Sequence, residues 1–186
     1  MIKMLLILGL FNSIFNSSNN ELVNHDYLDN QISLSLIDFK SDYEDFQSKQ
    51  YYNGENIHDI ANKLNKYLKS TLKDKGEFIV EYSMEVGMDP YLATAVMLQE
   101  TGCYWGCSYL TRVCNNVGGN KGTPSCNGGS YRKFSTIDEG IKFAINKLNK
   151  YYSKGKVTPE SINPYYAEDK TWYKKVNKYI NKLKNA

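Results

Sequence analysis

Glu100 is the acidic residue whose position most favours chemistry. It follows the apolar run AVML and Gln99, at the point where Thr101-Gly102 predicts the end of a helix. Apolar walls around a buried helix and the negative pole of the helix dipole would both disfavour an ionised carboxylate. A carboxylic acid that keeps its proton near neutral pH can act as a general acid. The sequence therefore predicts acid catalysis by Glu100, against the ordinary alternative of a solvated glutamate near a helix end.

Aromatic and amide side chains follow Glu100 closely in the sequence. Aromatic faces suit the apolar sides of pyranose rings because both surfaces are apolar, and side-chain amides suit N-acetyl groups because the two can exchange hydrogen bonds. Packing in the core is the alternative for any single ring, but it is less natural for rings that come after the helix stop. The predicted sugar-binding set consists of Tyr104, Trp105, Tyr109, Asn115, Asn116 and Tyr131.

Three motifs occur in a fixed order along the chain: QETG at the end of the DPYLATAVML segment, NNVGG at 115–119, and YRKFSTIDEGI at 131–141. Together they resemble the lysozyme-like superfamily of peptidoglycan-cleaving enzymes. The chain is most similar to bacterial endo-β-N-acetylglucosaminidases of the flagellar and autolysin type, and next to soluble lytic transglycosylases. The resemblance covers about residues 75–183. It implies a mostly α (α+β) lysozyme-like domain, with a small β-hairpin or irregular loop beside the active-site helix.

The resemblance also implies roles for individual residues. Glu100 would be the catalytic acid, and the asparagine pair would shape the floor of the sugar cleft. An aromatic residue of the Y-x-x-F-S element would line the subsite beside the acid. Phe134 stands where relatives often have Tyr, so the hydroxyl is missing there and only Tyr131 could supply it. The implied substrate-binding set is Tyr104, Trp105, Asn115, Asn116, Gly118, Tyr131 and Phe134.

A second catalytic carboxylate is hard to find in the sequence. Most glycosidases use two carboxylates, but no acid lies between Glu100 and Asp138. Glu139 is expected to complete a capping box with Thr136, and Asp138 to favour the same helix start. Two mechanisms need only one acid. In one, the N-acetyl group of the sugar is the nucleophile, and in the other the C6 hydroxyl of N-acetylmuramic acid closes on the anomeric carbon.

The four cysteines, Cys103, Cys107, Cys114 and Cys126, indicate a disulfide framework if the chain is exported. Four cysteines allow three pairings. We favour Cys103–Cys107 with Cys114–Cys126, which closes two small loops. A zinc site is the alternative, but the spacings C-x3-C-x6-C-x11-C lack the paired C-x2-C of zinc ribbons. We therefore expect neither a metal nor a cofactor.

The N-terminal sequence predicts export. Residues 1–20 combine Lys3, an apolar stretch from Met4 to Phe11 and a polar end, as in a secretory signal peptide, with an uncleaved anchor as the alternative. Residues 21–56 are predicted to be an acidic linker or extension, in which SLSLIDF could form a strand. Residues 57–186 would be the catalytic domain.

Helical periodicity begins at His58 and predicts the elements that must position the motifs. A helix through Leu72 is followed by one that Gly87 ends. The next begins at Asp89-Pro90 and ends at Thr101-Gly102. After the glycine-rich loop, helices are predicted from Thr136 to Gly155, after Thr158-Pro159, and around Trp172 to Leu183.

Charge and composition narrow the function further. The net charge is only +3, so bulk charge gives no argument for nucleic acid, although residues 140–186 hold eleven lysines against three acids. This basic segment fits a polyanionic partner or a solvated lysine-rich face. Only His25 and His58 are present, which disfavours Ser–His or Cys–His catalysis.

The sequence thus predicts a monomeric, extracellular or cell-wall glycosidase that cleaves the β-1,4 backbone of peptidoglycan, without stable membrane insertion once the signal is removed. An endo-β-N-acetylglucosaminidase is favoured over a lytic transglycosylase or muramidase. A non-catalytic glycan-binding module is the alternative of another class, and a disulfide-stabilised inhibitor or toxin is disfavoured by the long helices.

Overall fold

The computed structural model describes residues 25–186. The predicted signal peptide, residues 1–20, lies outside these described residues. The chain divides between residues 46 and 47 into two compact units. The second unit therefore begins about ten residues before position 57, where the sequence placed the start of the domain.

Helix α1 (His25–Gln50) occupies most of the predicted acidic extension. The strand considered for SLSLIDF, residues 33–39, is wrong, because this segment lies inside α1. The physical reason is that no Gly or Pro interrupts the chain from His25 to Gln50, so a brief alternation of apolar residues does not break the helix. Apolar side chains such as Leu36 and Ile37 are exposed on α1. Within residues 25–186, no helix is long and apolar enough to cross a membrane.

The second unit is mostly helical with one small β-hairpin, as predicted. Strands β1 and β2 pair in antiparallel register, Tyr51 with Asn56 and Tyr52 with Glu55. The elements are β1 (Tyr51–Tyr52), β2 (Glu55–Asn56), α2 (Ile57–Tyr67), a 3-10 turn (Ser70–Leu72), α3 (Gly76–Glu85), α4 (Pro90–Thr101), α5 (Tyr109–Cys114), α6 (Ile137–Tyr152), α7 (Pro159–Tyr166) and α8 (Trp172–Lys184).

Helix α4 lies at the centre of the core and contacts α3, α6 and α8. Its residues from Pro90 to Leu98 are all buried, as expected for a helix that is apolar on every side. The Asp89 carboxylate caps the start by accepting from the backbone N–H of Tyr91 at 2.7 Å. Gly102 ends the helix in the left-handed conformation (φ 66°). These boundaries are the ones predicted from sequence.

The β-hairpin is tied to two helices through Glu55. Its carboxylate accepts from Lys63 Nζ at 2.6 Å and from the Tyr91 hydroxyl at 2.8 Å. Burial alone would raise the pKa of Glu55, but these hydrogen bonds outweigh it and hold the pKa below its usual value. Lys63 Nζ also donates to the carbonyl of Lys184, so the start and the end of the unit meet at one point.

The segment between α5 and α6 is an irregular loop, residues 115–136, with two isolated bridges, Lys121 to Tyr131 and Ser125 to Arg132. Its base is pinned to α6, because the backbone carbonyl of Asn115 lies against Cα of Gly140. Helix α5 was missed in the sequence. Its only local signal is Ser108, which caps the first turn by accepting from Thr111 N–H.

We predict that Gly140→Ala destabilises the protein. The added Cβ would collide with the Asn115 carbonyl, which is backbone and cannot rotate away. Equilibrium urea unfolding should show a free energy of unfolding lower by about 1–3 kcal/mol. Gly106→Ala is the matched control, since its Cβ would meet open space, and its effect should stay within about 0.5 kcal/mol. Equal values for the two variants would contradict the close contact.

Candidate functional site

The carboxylate of Glu100 is exposed at the last turn of α4. The expectation of apolar walls around it is wrong, because Glu100 lies just past the fully buried part of the helix. One oxygen is nevertheless fixed: Oε1 accepts a hydrogen bond of 2.9 Å from Nε1 of Trp172. The carboxylate is therefore both oriented and open to a ligand.

Tyr166, the last residue of α7, lies beside Glu100. Burial and then the negative charge of Glu100 raise the pKa of its phenol well above the usual range. Its ring packs against the ring of Trp172, with centroids 5.0 Å apart. We call Glu100, Tyr166 and Trp172 the Glu100 cluster. It brings together side chains from the end of α4, the end of α7 and the start of α8.

The turn between α7 and α8 is fixed by the buried amide of Asn163. Its Nδ2 donates to the carbonyl of Asp169 at 2.9 Å, and its Oδ1 accepts from the backbone N–H of Tyr173 at 3.1 Å. The Asp169 carbonyl in turn accepts from the N–H of Trp172. Hydrogen bonds from Lys175 and Thr171 hold the pKa of Asp169 well below its usual range. This turn positions both rings of the Glu100 cluster.

Sequence reasoning placed Trp172 in a predicted helix and missed the roles of both Tyr166 and Trp172 beside Glu100. Asp169 and Thr171 are a local signal for a helix start at Trp172. Nothing local indicates that this helix start meets Glu100, because the hydrogen-bonded residues are 72 positions apart. Trp172 also packs in the core, where it is 4% exposed.

Asn115 and Asn116 both donate hydrogen bonds that stabilise the 115–136 loop. Asn116 is completely buried. Its Nδ2 donates to the carbonyls of Asn120 and Arg132 at 2.8 and 2.6 Å, and its Oδ1 accepts from Asn120 N–H at 2.8 Å. Asn115 Nδ2 donates to the Phe134 carbonyl at 3.0 Å. The expectation of direct sugar contact by Asn116 is therefore corrected: its hydrogen bonds are used inside the loop.

Phe134 is also a packing residue, 7% exposed, with its ring 5.1 Å from that of Phe143 and the Arg132 guanidinium over both rings. Its predicted place in a sugar subsite is corrected for this reason. Tyr131 is exposed on the same loop, and its ring lies beside Gly119. The phenol next to Glu100 comes from Tyr166 of α7.

Gly118 lies in the same loop with φ of 113°, a conformation that L residues rarely adopt. Its Cα faces the buried amide of Asn120. Gly118 thus allows the tight turn that brings Asn120 back onto Asn116. The structure gives it a conformational role at this position.

Tyr104 and Trp105 form an aromatic shelf on the loop after α4. Tyr104 stacks on Tyr67 with centroids 5.5 Å apart, meets Trp105 edge to face at 4.8 Å, and lies under Lys182 Nζ at 4.7 Å. Trp105 is 81% exposed. An indole that is so exposed but held by a packed neighbour offers a surface for stacking.

The structure contains two disulfides, Cys103–Cys107 and Cys114–Cys126. This is the pairing favoured from the sequence. The first closes the loop that carries the aromatic shelf, and the second ties the end of α5 to the 115–136 loop. Among residues 25–186, no group of His, Cys, Asp and Glu side chains could hold a metal ion.

The acids at the start of α6 are both engaged. Asp138 pairs with Lys75 at 2.7 Å. Glu139 Oε2 accepts from the backbone N–H of Ser135 at 3.0 Å, while Thr136 Oγ1 accepts from Glu139 N–H. The expected cap is thus present, although Glu139 reaches one residue farther back than in a standard capping box. Both acids are held in structural contacts, as the sequence suggested.

Comparison with known protein families gives one match. Residues 76–185 match the Glucosaminidase family, described as mannosyl-glycoprotein endo-β-N-acetylglucosaminidase. The match runs from the start of α3 to the end of α8 and contains the whole Glu100 cluster. No curated protein matches the chain.

We predict unequal contributions from the two disulfides. Replacing Cys114 and Cys126 by Ala should lower the free energy of unfolding by about 3 kcal/mol, because the bond closes the longer loop in the unfolded chain. Replacing Cys103 and Cys107 should cost about 2 kcal/mol. Urea unfolding without reductant measures both values. A larger loss for the shorter loop would show that chain entropy does not set the order.

Proposed function

The chain belongs to the Glucosaminidase family and is a glycoside hydrolase, and from this premise we propose that it cleaves the β-1,4 glycan backbone of bacterial peptidoglycan as an endo-β-N-acetylglucosaminidase. Glu100 is the general acid in this proposal. The observation that carries it is the accessible Glu100 carboxylate, held by Trp172 Nε1 at 2.9 Å beside the phenol of Tyr166.

The contact with Trp172 sets the orientation of Glu100 for the proposed role of proton donor. Trp172 N–H occupies Oε1, so Oε2 is the oxygen that carries and delivers the proton. The proton passes to the glycosidic oxygen as the bond to the anomeric carbon breaks. The phenol of Tyr166 stays protonated through neutral pH, since its pKa is raised, and so offers a hydrogen-bond donor near the developing charge.

The group that attacks the anomeric carbon is inferred from the two acids at the start of α6, since neither is free to act as a second catalytic carboxylate. With Asp138 and Glu139 engaged, the nucleophile in the proposal is the carbonyl oxygen of the substrate's N-acetyl group. It forms a cyclic intermediate as the leaving sugar departs. Water then attacks, and the Glu100 carboxylate accepts its proton. A lytic transglycosylase would use the same acid but close the ring with the C6 hydroxyl of muramic acid.

Charge favours peptidoglycan over a mannosyl glycoprotein as the substrate. Mannosyl glycans are uncharged, whereas peptidoglycan carries carboxylates on its muramic acid units. The Lys147 ammonium lies 5.3 Å from the ring centroid of Tyr166, so a cation borders the Glu100 cluster. Opposite charges attract at this range, which favours an anionic glycan.

The wider assignment completes the proposal. In this proposal residues 1–20 direct export, the residues from 21 to 46 form an extension, and residues 47–186 act as a monomeric catalytic domain in the extracellular space or the cell wall. The two disulfides are consistent with an oxidising compartment.

A glycan-binding module without activity is the second candidate. The observation in its favour is the exposed indole of Trp105, which could hold a sugar ring without any help from Glu100. The two candidates differ in one respect: cleavage depends on Glu100 and retention on the wall does not.

The deciding experiment digests purified peptidoglycan, reduces the products with borohydride and reads them by mass spectrometry. Reduced N-acetylglucosamine ends are expected from the wild type. Glu100→Gln should abolish them while the circular dichroism spectrum is retained, because the amide cannot donate the acidic proton. Glu81→Gln, an exposed acid on α3, is the matched control and should retain activity.

Other products would redirect the proposal. Anhydromuramic ends would mean transglycosylation, and reduced muramic ends would mean a muramidase. Full activity of a folded Glu100→Gln variant would remove Glu100 from the mechanism. Binding to the wall with no fragments at all would favour the glycan-binding module.

We predict that Trp172→Phe lowers kcat about 2- to 10-fold, because it removes the hydrogen bond that orients Glu100, worth about 0.5–1.5 kcal/mol, while keeping an aromatic ring in the core. Tyr166→Phe should also lower kcat, and Tyr165→Phe, the exposed neighbour, should not. The assay is release of reducing ends. Unchanged kcat in Trp172→Phe would show that the orientation of Glu100 does not limit cleavage.

A further inference from the structure

A basic cavity of about 300 Å³ lies between the 115–136 loop and the outer face of α6. Its lining contains three lysines, two amides and one aromatic ring, and no acid: Asn120, Lys121, Phe143, Asn146, Lys147 and Lys150. The Arg132 guanidinium lies over the ring of Phe143, 5.2 Å from its centroid, and adds a fourth cation nearby. We call this cavity the lysine pocket.

Lys147 is held in place at the pocket wall. Its Nζ donates to Oδ1 of Asn120 at 3.2 Å. Asn120 is 3% exposed and is itself fixed, since its Nδ2 donates to the Val117 carbonyl and its backbone N–H donates to Asn116. An immobile buried amide therefore directs the ammonium group. Two of its three N–H donors remain for a ligand.

Within the part of the chain that the structure describes, the lysines of the pocket, Lys121, Lys147 and Lys150, form no ion pair with an acid. Cations gathered around a concave surface repel one another, and an anion bound there would relieve that repulsion. The chemistry of the lining thus selects a negatively charged group.

The pocket borders the Glu100 cluster through Lys147. The Lys147 ammonium lies 5.3 Å from the ring centroid of Tyr166, and the charge of Glu100 acts on the Tyr166 phenol. A sugar placed at Glu100 would therefore carry its substituents within reach of Lys147. The pocket is a candidate subsite for a branch of the substrate and not for the scissile bond.

We propose that the lysine pocket binds the carboxylate carried by the lactyl branch of N-acetylmuramic acid, and that Lys147 is its main donor. This inference rests on the proposed function, because it assigns a branch of that same substrate. In a peptide-free strand the carboxylate is that of the lactyl group itself. In a peptide-bearing strand the lactyl group forms an amide with the stem peptide, and the carboxylate is then the first free carboxylate of that peptide. Carboxylates accept hydrogen bonds from ammonium groups, and such charge-assisted bonds are strong.

The test compares glycan strands that differ only in this charge. Peptide-free strands with the lactyl acid intact are assayed beside strands in which it has been reduced to the alcohol, and peptide-bearing strands form a third arm. Lys147→Met should lower kcat/KM on the acidic strands about 10- to 100-fold, mainly through KM. Activity on the carboxyl-reduced strands should stay at the wild-type level.

Substitutions at exposed lysines control for a folding defect in the Lys147→Met variant. Lys121→Met and Lys150→Met remove charge from the pocket at exposed side chains and should give smaller losses in the same direction. Lys178→Met, on the exposed face of α8, removes the same charge elsewhere and should give none. A loss confined to peptide-free strands assigns the lactyl carboxylate, and one confined to peptide-bearing strands assigns the stem peptide.

Two outcomes would overturn the inference. Equal loss on the acidic and the reduced strands would mean that Lys147 only supports the loop, and no loss on either would leave the pocket without a role in recognition. Calorimetric binding of the same strands to Glu100→Gln, with and without Lys147→Met, repeats the comparison without turnover. It therefore separates failure of this inference from failure of the proposed function, which would show as no cleavage by the wild type.

Discussion

The hydrogen bond from Trp172 Nε1 to Glu100 Oε1 constrains the whole helical unit. It requires the first residue of α8 to meet the last turn of α4, and the two helices then run antiparallel. At their far ends, the ammonium of Lys184 lies 5.4 Å from the ring centroid of Tyr91 in the first turn of α4. A central helix that is buried on nearly every side leaves Glu100 at its end as the point where chemistry can reach solvent. The proposed functional site thus lies where the buried helix α4 ends at the surface.

Two buried amides carry out the same task in two different loops. Asn163 fixes the turn before Trp172, and Asn116 fixes the loop that closes on α6. Both use their donor and acceptor atoms on backbone groups, so neither loop needs strands to satisfy its peptide bonds. Buried side-chain hydrogen bonds define a loop more uniquely than apolar contacts do, because a misplaced partner leaves a polar atom unpaired. Of the two, Asn163 bears directly on the Glu100 cluster, because it holds the turn from which Trp172 begins α8.

Local signals in the sequence predicted most of the helices, though not α1 or α5, and placed Glu100 at the end of α4, because caps such as Asp89 and Gly102 act on adjacent residues. They did not predict which amides and rings face a ligand. Asn116 and Phe134 carry the right chemistry, but both are buried, because Asn116 bonds to Asn120 and Arg132 inside its loop and Phe134 packs against Phe143 of α6. The contact of Glu100 with Trp172 could not be predicted from the sequence either, because it joins elements that only the complete tertiary fold brings together.

The tie of Lys63 to both Glu55 and the Lys184 carbonyl has a consequence for how this unit combines with other sequence. Because its first strand pair and its last helix meet at one point, chain entering and chain leaving the unit do so side by side. Such a unit can be inserted into a loop of a host protein, joined in tandem, or circularly permuted with a short linker. The Glu100 cluster lies at the opposite end of α8, so these rearrangements would leave it untouched.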